Sequence, residues 1–439
     1  MMSAPGHDHT SPTAVARRLV AEGRRADAER VVADLIRRNF KLAVRTVAIT
    51  ADWSSLNSLN GLADLDDGRR FFFKFHQEEG EEATVEEYYR AELLQRAGLP
   101  VDVPAMICRE PGQQILLYAY RPDRTLADHC LEMERTQEVS ELPELLALQT
   151  ELDRLTGESY VASLHASNRT LSAAEPIHQL FHNRLVTLPH LARVGGRVAR
   201  FYQGRSVALP GCILGWDEFA DLQWRINGID YDRSIADLFS ESLTVLDPAQ
   251  LAASGAVTAH GDAHNANVWV EHRSDAPRLV LFDPAFAGEH VPALLADVKA
   301  TFHNIFAHPF WLYHPAESEA LFRATVAIDR DRITIEHDWE LTPLREGFLS
   351  AKVAYVWRPL LAALKERDLL PANWRSVVRH ALFCCPTLVM NLLAAAPHGA
   401  TRGRSPRISA LSFAIAVMAG GEPQNPADVF SRFLDEIQP

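Results

Sequence analysis

One polar loop restricts the possible folds of this chain more than any other feature. The octapeptide His260-Gly261-Asp262-Ala263-His264-Asn265-Ala266-Asn267 lies between two short apolar runs, 257–259 and 279–282, and Asp283 follows directly on the second run. Short apolar runs with β-branched members read as buried strands. The fold must therefore hold out, on a strand–loop–strand unit, an aspartate, an asparagine five residues later and a second aspartate sixteen residues beyond that. An Asp/His/Asn-rich surface loop is the bland alternative, and the strand context together with Asp283 weighs against it.

Phosphoryl transfer needs such a set. One carboxylate must accept or orient the proton of an attacking hydroxyl, and two further oxygens must hold magnesium, which prefers hard donors, against nucleotide phosphates. Asp262 fits the first role; Asn267 and Asp283 fit the second. Upstream, Phe71-Phe72-Phe73-Lys74-Phe75 places a lysine inside a strand of bulky apolar residues. Alone it would read as an edge-strand lysine facing solvent. Beside the downstream loop it reads as a phosphate-binding lysine oriented by a helix glutamate, for which Glu86, Glu87 and Glu92 are available.

With these residues in place, the chain resembles the aminoglycoside phosphotransferase and choline kinase-like superfamily, which has the protein-kinase-like fold. The resemblance runs over residues 40–305. It rests on Lys74, on Glu87 about eleven residues before Gly98-Leu99-Pro100, on Leu164-His165, on the HGDxHxxN loop and on Asp283. It implies an α+β, bilobal fold with a small β-rich N-lobe and a large, mainly helical C-lobe. The expected divisions are an N-terminal helical extension (1–39), a nucleotide-side N-lobe (40–120) and a C-lobe (121–439) carrying the catalytic loop, the acceptor site and C-terminal helices. It also implies ATP or GTP and Mg2+ as cofactors. The reaction would be transfer of the γ-phosphoryl group to a hydroxyl of an antibiotic, amine, sugar or related metabolite. In this frame Asp262 is the catalytic base, Asn267 and Asp283 hold the metal, and Lys74 with Glu87 binds nucleotide phosphate. Ser54 and Ser55 belong to the nucleotide-covering loop, and Tyr118 and Tyr120 lie in the interlobe hinge, 117–120. His260 packs against the loop and orients it, His264 helps it hold its shape, and Asp297 either braces it or is a helix-surface carboxylate.

Two departures matter. The segment 52–58 has no glycine, resembling Ser-Asn loops in place of a Gly-rich one, and Asp283-Pro284-Ala285 resembles the fructosamine kinases. The absence of Asp-Phe-Gly, of Ala-Pro-Glu and of a Gly-rich loop counts against a protein kinase. A catalytically silent, nucleotide-binding partner protein is the other alternative, and intact Lys74, Asp262, Asn267 and Asp283 count against it.

Composition narrows the partners. Acidic residues outnumber basic ones 57 to 44, so no basic face for nucleic acid stands out. The excess would suit a cationic acceptor, with Trp216, Asp217, Glu218, Asp221 and Asp230 as wall residues, but it equally serves solubility. An amphipathic surface helix is the stronger reading of 215–232. Five scattered cysteines read as reduced thiols of a cytoplasmic protein. No apolar stretch of signal-peptide type opens the chain, and the apolar runs 381–396 and 408–419 read as core helices, so no membrane partner is expected. Alternation predicts strands at 44–50, 56–64, 70–75 and 114–120, with a turn at Asp66-Asp67-Gly68. Helical periodicity is read at 14–39, 81–97 and 141–166, and for everything after Ala293.

Overall fold

Alternation decides the first region. In the strand Arg70–His76, Phe71, Phe73 and Phe75 are buried while Phe72 and Lys74 are half-buried on the opposite face. This strand, β3, belongs to an antiparallel sheet with β1 (Val44–Ile49), β2 (Ser58–Leu65), β4 (Met106–Cys108) and β5 (Ile115–Ala119), in the order β1-β2-β3-β5-β4. Asp66-Asp67-Gly68 turns β2 into β3, with Gly68 at φ +86°. Helices α1 (Pro12–Ala21) and α2 (Arg25–Phe40) supply Ala16, Leu19, Val32, Leu35 and Ile36 to the core that takes in Phe71, Phe73 and Phe75. The phenylalanine face is thereby closed, and Lys74 projects from the other side. The computed structural model describes residues 11–50, 58–76, 90–187, 190–272, 276–394, 403–424 and 428–439.

A second, larger hydrophobic core runs from Leu94 to Ile437. The two cores make the molecule bilobal, α+β overall, as expected. The helix Leu142–Ser163 and the helices Trp374–Val389 and Pro406–Gly420 belong to the second core, the last buried from Ile408 to Gly420. The apolar run 408–419 is thus a core helix, and the run 381–396 is one as far as Val389. No described helix is long and apolar enough to cross a membrane. Phe413 stands at the centre of an aromatic group with Tyr202, Trp216 and Phe219, the first two stacked with ring centroids 4.7 Å apart.

The helical reading of everything after Ala293 is corrected. Ala324–Asp329 and Arg332–His337 form an antiparallel hairpin. Its second strand runs parallel to Gln223–Ile226, inside the stretch read as an amphipathic helix. That stretch holds only a short helix, Trp216–Ala220, before the strand begins. Ile333 and Ile335 are fully buried at a spacing of two, which is the strand period. The long helix predicted at 81–97 is described over Ala91–Arg96; residues 77–89 lie outside the described residues.

The segment 100–102, which leads into β4, docks on the strand that leads to Asp283. Leu281 donates its N–H to the Pro100 carbonyl at 2.8 Å and accepts from the Asp102 N–H at 2.7 Å. Arg121 clamps the same junction, 3.0 Å from Asp102 and 2.7 Å from Glu271.

The larger core also holds a buried charge triad. Lys352 Nζ is 2.8 Å from Asp153 Oδ1 and 3.0 Å from Asp297 Oδ2, and all three side chains are shielded from solvent. One ammonium cannot neutralise two buried carboxylates, so the set favours taking up a proton. Burial pushes Asp153 up and Asp297 adds to it, against the pull of Lys352, moving the carboxyl from 3.8 to about 6. The folded form then binds a proton between about pH 4 and 6 that the unfolded chain releases, so this contribution to stability grows as pH falls through that window and is lost as pH rises through about 6. Asp153→Asn should remove ~1–3 kcal/mol of that pH dependence. Chemical unfolding of both proteins at pH 4.5 and 6.5 checks this, and identical slopes would refute it.

Candidate active site

Each half of the site hangs on a strand pair. Ala256–Ala259, antiparallel to Gly288–Pro292, delivers the loop, and Val268–Glu271 pairs with Arg278–Leu281 to return the chain to Asp283. Trp269 stacks on Phe282 at 4.2 Å across this hairpin. Gly261 has φ +77°, and a Cβ there would meet the Phe286 carbonyl oxygen at 2.5 Å. Both the backbone conformation and the space demand glycine.

His260 ties the halves together. Its Nε2 donates to the Phe282 carbonyl at 3.0 Å, and its Nδ1 accepts from the Asp262 N–H at 3.3 Å. That pattern requires the neutral ring, and burial pushes its pKa down. This is the orienting role expected for it. Asn267 donates through Nδ2 to the Asp262 carbonyl at 2.9 Å and accepts at its own carbonyl from the Phe282 N–H at 3.0 Å. Among the described residues its side-chain oxygen has no hydrogen-bond partner.

The loop is also gripped from below. The Asn304 amide oxygen accepts from the Asn265 N–H at 2.7 Å, and its Nδ2 donates to the Ala263 carbonyl at 3.4 Å. Arg345 donates to the Asn304 carbonyl at 2.6 Å and makes a bidentate pair with Glu134, at 2.7 and 2.9 Å. Buried bidentate pairing of this kind fixes geometry as well as charge.

Asp262 is mostly enclosed, its side chain 14% exposed. Lys299 Nζ stands 3.3 Å from Oδ1 and His264 Nε2 3.8 Å from Oδ2. Burial pushes the Asp262 carboxyl up, but the positive charge around it, Lys299 foremost, outweighs burial and leaves the carboxyl below its ordinary value. His264 is pushed down by burial against the pull of Asp262, so it is a neutral neighbour near pH 7.

Across the cleft, Lys74 from β3 forms an ion pair with Asp283. Asp283 adopts φ +58°, a left-handed conformation uncommon outside glycine, which aspartate tolerates better than most residues. Lys74, Asp262, Asn267 and Asp283 are thus brought together from two cores. Glu86, Glu87, Ser54 and Ser55 lie outside the described residues, and Glu92 is exposed on its helix. Tyr118 is buried in β5, while Tyr120, 40% exposed at the end of the sheet, lies under the Arg70 guanidinium. Asp297 does not touch the loop; it pairs with Lys352. Asp217, Glu218 and Asp221 are exposed, and Asp230 pairs with Arg225 at 3.1 Å.

Sequence reasoning missed Lys299, Asn304 and the Glu134–Arg345 pair. Lys299 left a trace as a lone cation in the apolar stretch 293–302. Asn304 and the Glu134–Arg345 pair left none.

No family model and no curated protein matches the chain. Among solved structures it is similar to an amicoumacin kinase in complex with AMP-PNP, Ca2+ and Ami, at 12% identity over 88% of this chain and 92% of that one, with a TM-score of 0.41. It is also similar to a microcompartment-associated aminopropanol kinase, at 12% identity over 89% and 96%, with a TM-score of 0.39. A macrolide 2'-phosphotransferase type I is similar at 14% identity over 85% and 98%, with a TM-score of 0.36.

Two glycines separate backbone strain from crowding. Gly68→Ala, with φ +86° and open space around it, should cost about 1–2 kcal/mol for the left-handed conformation alone. Gly261→Ala adds a clash with the Phe286 carbonyl and should cost clearly more. Equal losses in denaturant midpoint would show that the loop yields freely there.

Proposed function

We propose that the protein is a small-molecule phosphotransferase that passes the γ-phosphoryl group of ATP or GTP to a hydroxyl of its acceptor. The observation that carries this reading is the meeting of Asp262 and Asn267 with the Lys74–Asp283 ion pair, from two separate cores. A carboxylate placed to take a proton stands next to an amide oxygen, a second carboxylate and a cation, which are the parts phosphoryl transfer needs.

Asp262 acts as base through Oδ2, the oxygen away from Lys299. As the acceptor oxygen bonds to the γ-phosphorus, its proton passes to Asp262, and the bond from that phosphorus to the β,γ-bridging oxygen breaks, releasing ADP or GDP. Lys74 binds nucleotide phosphate once it turns from Asp283. Magnesium fits the donor set: the Asn267 Oδ1 and the Asp283 carboxylate would hold it, and it would neutralise phosphate charge. No three His, Cys, Asp or Glu residues converge on a metal set among the described residues. Magnesium shared with phosphates does not need one. The hinge roles of Tyr118 and Tyr120, and the phosphate contacts of Ser54, Ser55 and Glu87, complete the reading. So do a cytoplasmic location and a lobe boundary near residue 120.

Release of ADP or GDP in the presence of a panel of hydroxylated metabolites and antibiotics tests the proposal. Nucleotide affinity without release for any acceptor would favour a silent partner protein. Asp262→Asn should keep nucleotide affinity near that of the parent and lower turnover by roughly 10²–10⁴-fold. Asn267→Ala and Asp283→Ala should raise the magnesium requirement, with Asp283 the more severe because it brings formal charge to the ion. Unchanged magnesium dependence in both variants would remove the metal assignment.

A further inference from the structure

We propose that Lys299 is a positioning residue of the phosphoryl-transfer centre: it engages one oxygen of Asp262 so that the other faces the acceptor hydroxyl. This rests on the phosphotransferase reading above.

Lys299 is 5% exposed, and its Nζ stands 3.3 Å from Asp262 Oδ1. Among the described residues no other carboxylate lies within 4.0 Å of it. Asp262 Oδ1 is itself shielded from solvent and has no hydrogen-bond partner among the described residues, so its contact with Lys299 is ionic. The carboxylate thus has one inner oxygen facing a cation and one outer oxygen, Oδ2, near His264.

The lysine cannot drift. It lies on the helical turn Val298–Thr301, between two anchored residues. Asp297 is bound by Lys352, and Thr301 donates to Asp297 Oδ2 at 3.0 Å while accepting from Trp357 Nε1 at 2.9 Å. Asp297, expected to brace the catalytic loop, instead fixes the turn from which Lys299 reaches it.

Stability alone is a poor reason for such a pair. A buried ion pair replaced by well-packed apolar residues is often neutral or better, whereas removing one partner is costly. What Lys299 supplies is geometry and charge. It restrains rotation of the carboxylate, keeping Oδ2 on the acceptor side. It also offsets the negative charge that Asp262 would otherwise turn toward a triphosphate.

The test is a double-variant cycle on ADP release from magnesium-ATP, with water as acceptor and then with the acceptor found by the panel. Lys299→Met should lower kcat by about 30-fold or more, leaving the KM for ATP and the affinity for AMP-PNP within about threefold. In an Asp262→Asn background the same change should cost less than about threefold, because the lysine acts through that carboxylate. Lys299→Arg should recover at least about tenfold over Met, since it restores the cation. If Lys299→Met fails to fold, the arginine variant and the double variant, which removes both charges, still decide the matter. A near-parental kcat in Lys299→Met overturns the proposal, as does an equal loss with and without the Asp262 carboxylate, or no recovery with arginine. Release that ignores Asp262→Asn, or no release at all, overturns the phosphotransferase reading and this proposal with it. A response to Asp262→Asn with none to Lys299→Met overturns this proposal alone.

Discussion

A neutral imidazole at position 260 sets the spacing of the site. It donates to the carbonyl just before Asp283 and accepts from the amide of Asp262, so both carboxylates are referenced to one rigid ring. A protonated ring would have no acceptor for the Asp262 amide, and burial disfavours that form. The rest follows from this link. Gly261 must take a left-handed turn for the chain to pass the ring, and Asn267 closes the loop back on the Asp262 carbonyl.

The second constraint joins the lobes. The phenylalanine face of β3 is sealed by α1 and α2, so the lysine between those phenylalanines in sequence must emerge on the far side. The docking of 100–102 on Leu281 then sets that far side against the end of the strand leading to Asp283. An N-terminal pair of helices, remote from the chemistry, thus decides where Lys74 points. The Lys74–Asp283 pair is the electrostatic contact that results.

Legibility followed sequence distance. The octapeptide, Asp283 and Lys74 could be read because their spacing along the chain carries the pattern, and β1, β2, β3 and β5 because their alternation is local. The hairpin 324–337 also alternates, at Val326, Ile328, Ile333 and Ile335, but it lies in a stretch dominated by helical apolar runs, and its parallel partner at 223–226 comes from a distant segment. Asn304 grips the loop from 39 residues away, and Arg345 meets Glu134 across 211. An asparagine or an arginine in a helix looks alike in sequence whether it faces water or holds a buried carbonyl. Only the packing tells them apart.

The formal charge of −13 gives no guide to the charge inside the cleft. The two carboxylates of the site each have a lysine, Asp262 with Lys299 and Asp283 with Lys74, and Arg184 adds a further positive charge acting on Asp262, so both carboxylates are answered before any ligand arrives. The carboxylates that suggested a cationic acceptor, Asp217, Glu218 and Asp221, are exposed on a short helix whose inner face packs into the aromatic group around Phe413. Their charge is screened by water and salt over about 8–10 Å. The Asp262–Lys299 pair is shielded from that screening, and the half-buried Lys74–Asp283 pair is so in part. On the phosphotransferase reading this balance has a use. An unpaired Asp262 and Asp283 would repel an incoming triphosphate, and an unpaired Lys74 would hold it without releasing the product. With each cation already answered by a carboxylate, binding phosphate exchanges one ion pair for another, so the free-energy change stays small enough for the nucleotide to enter and leave.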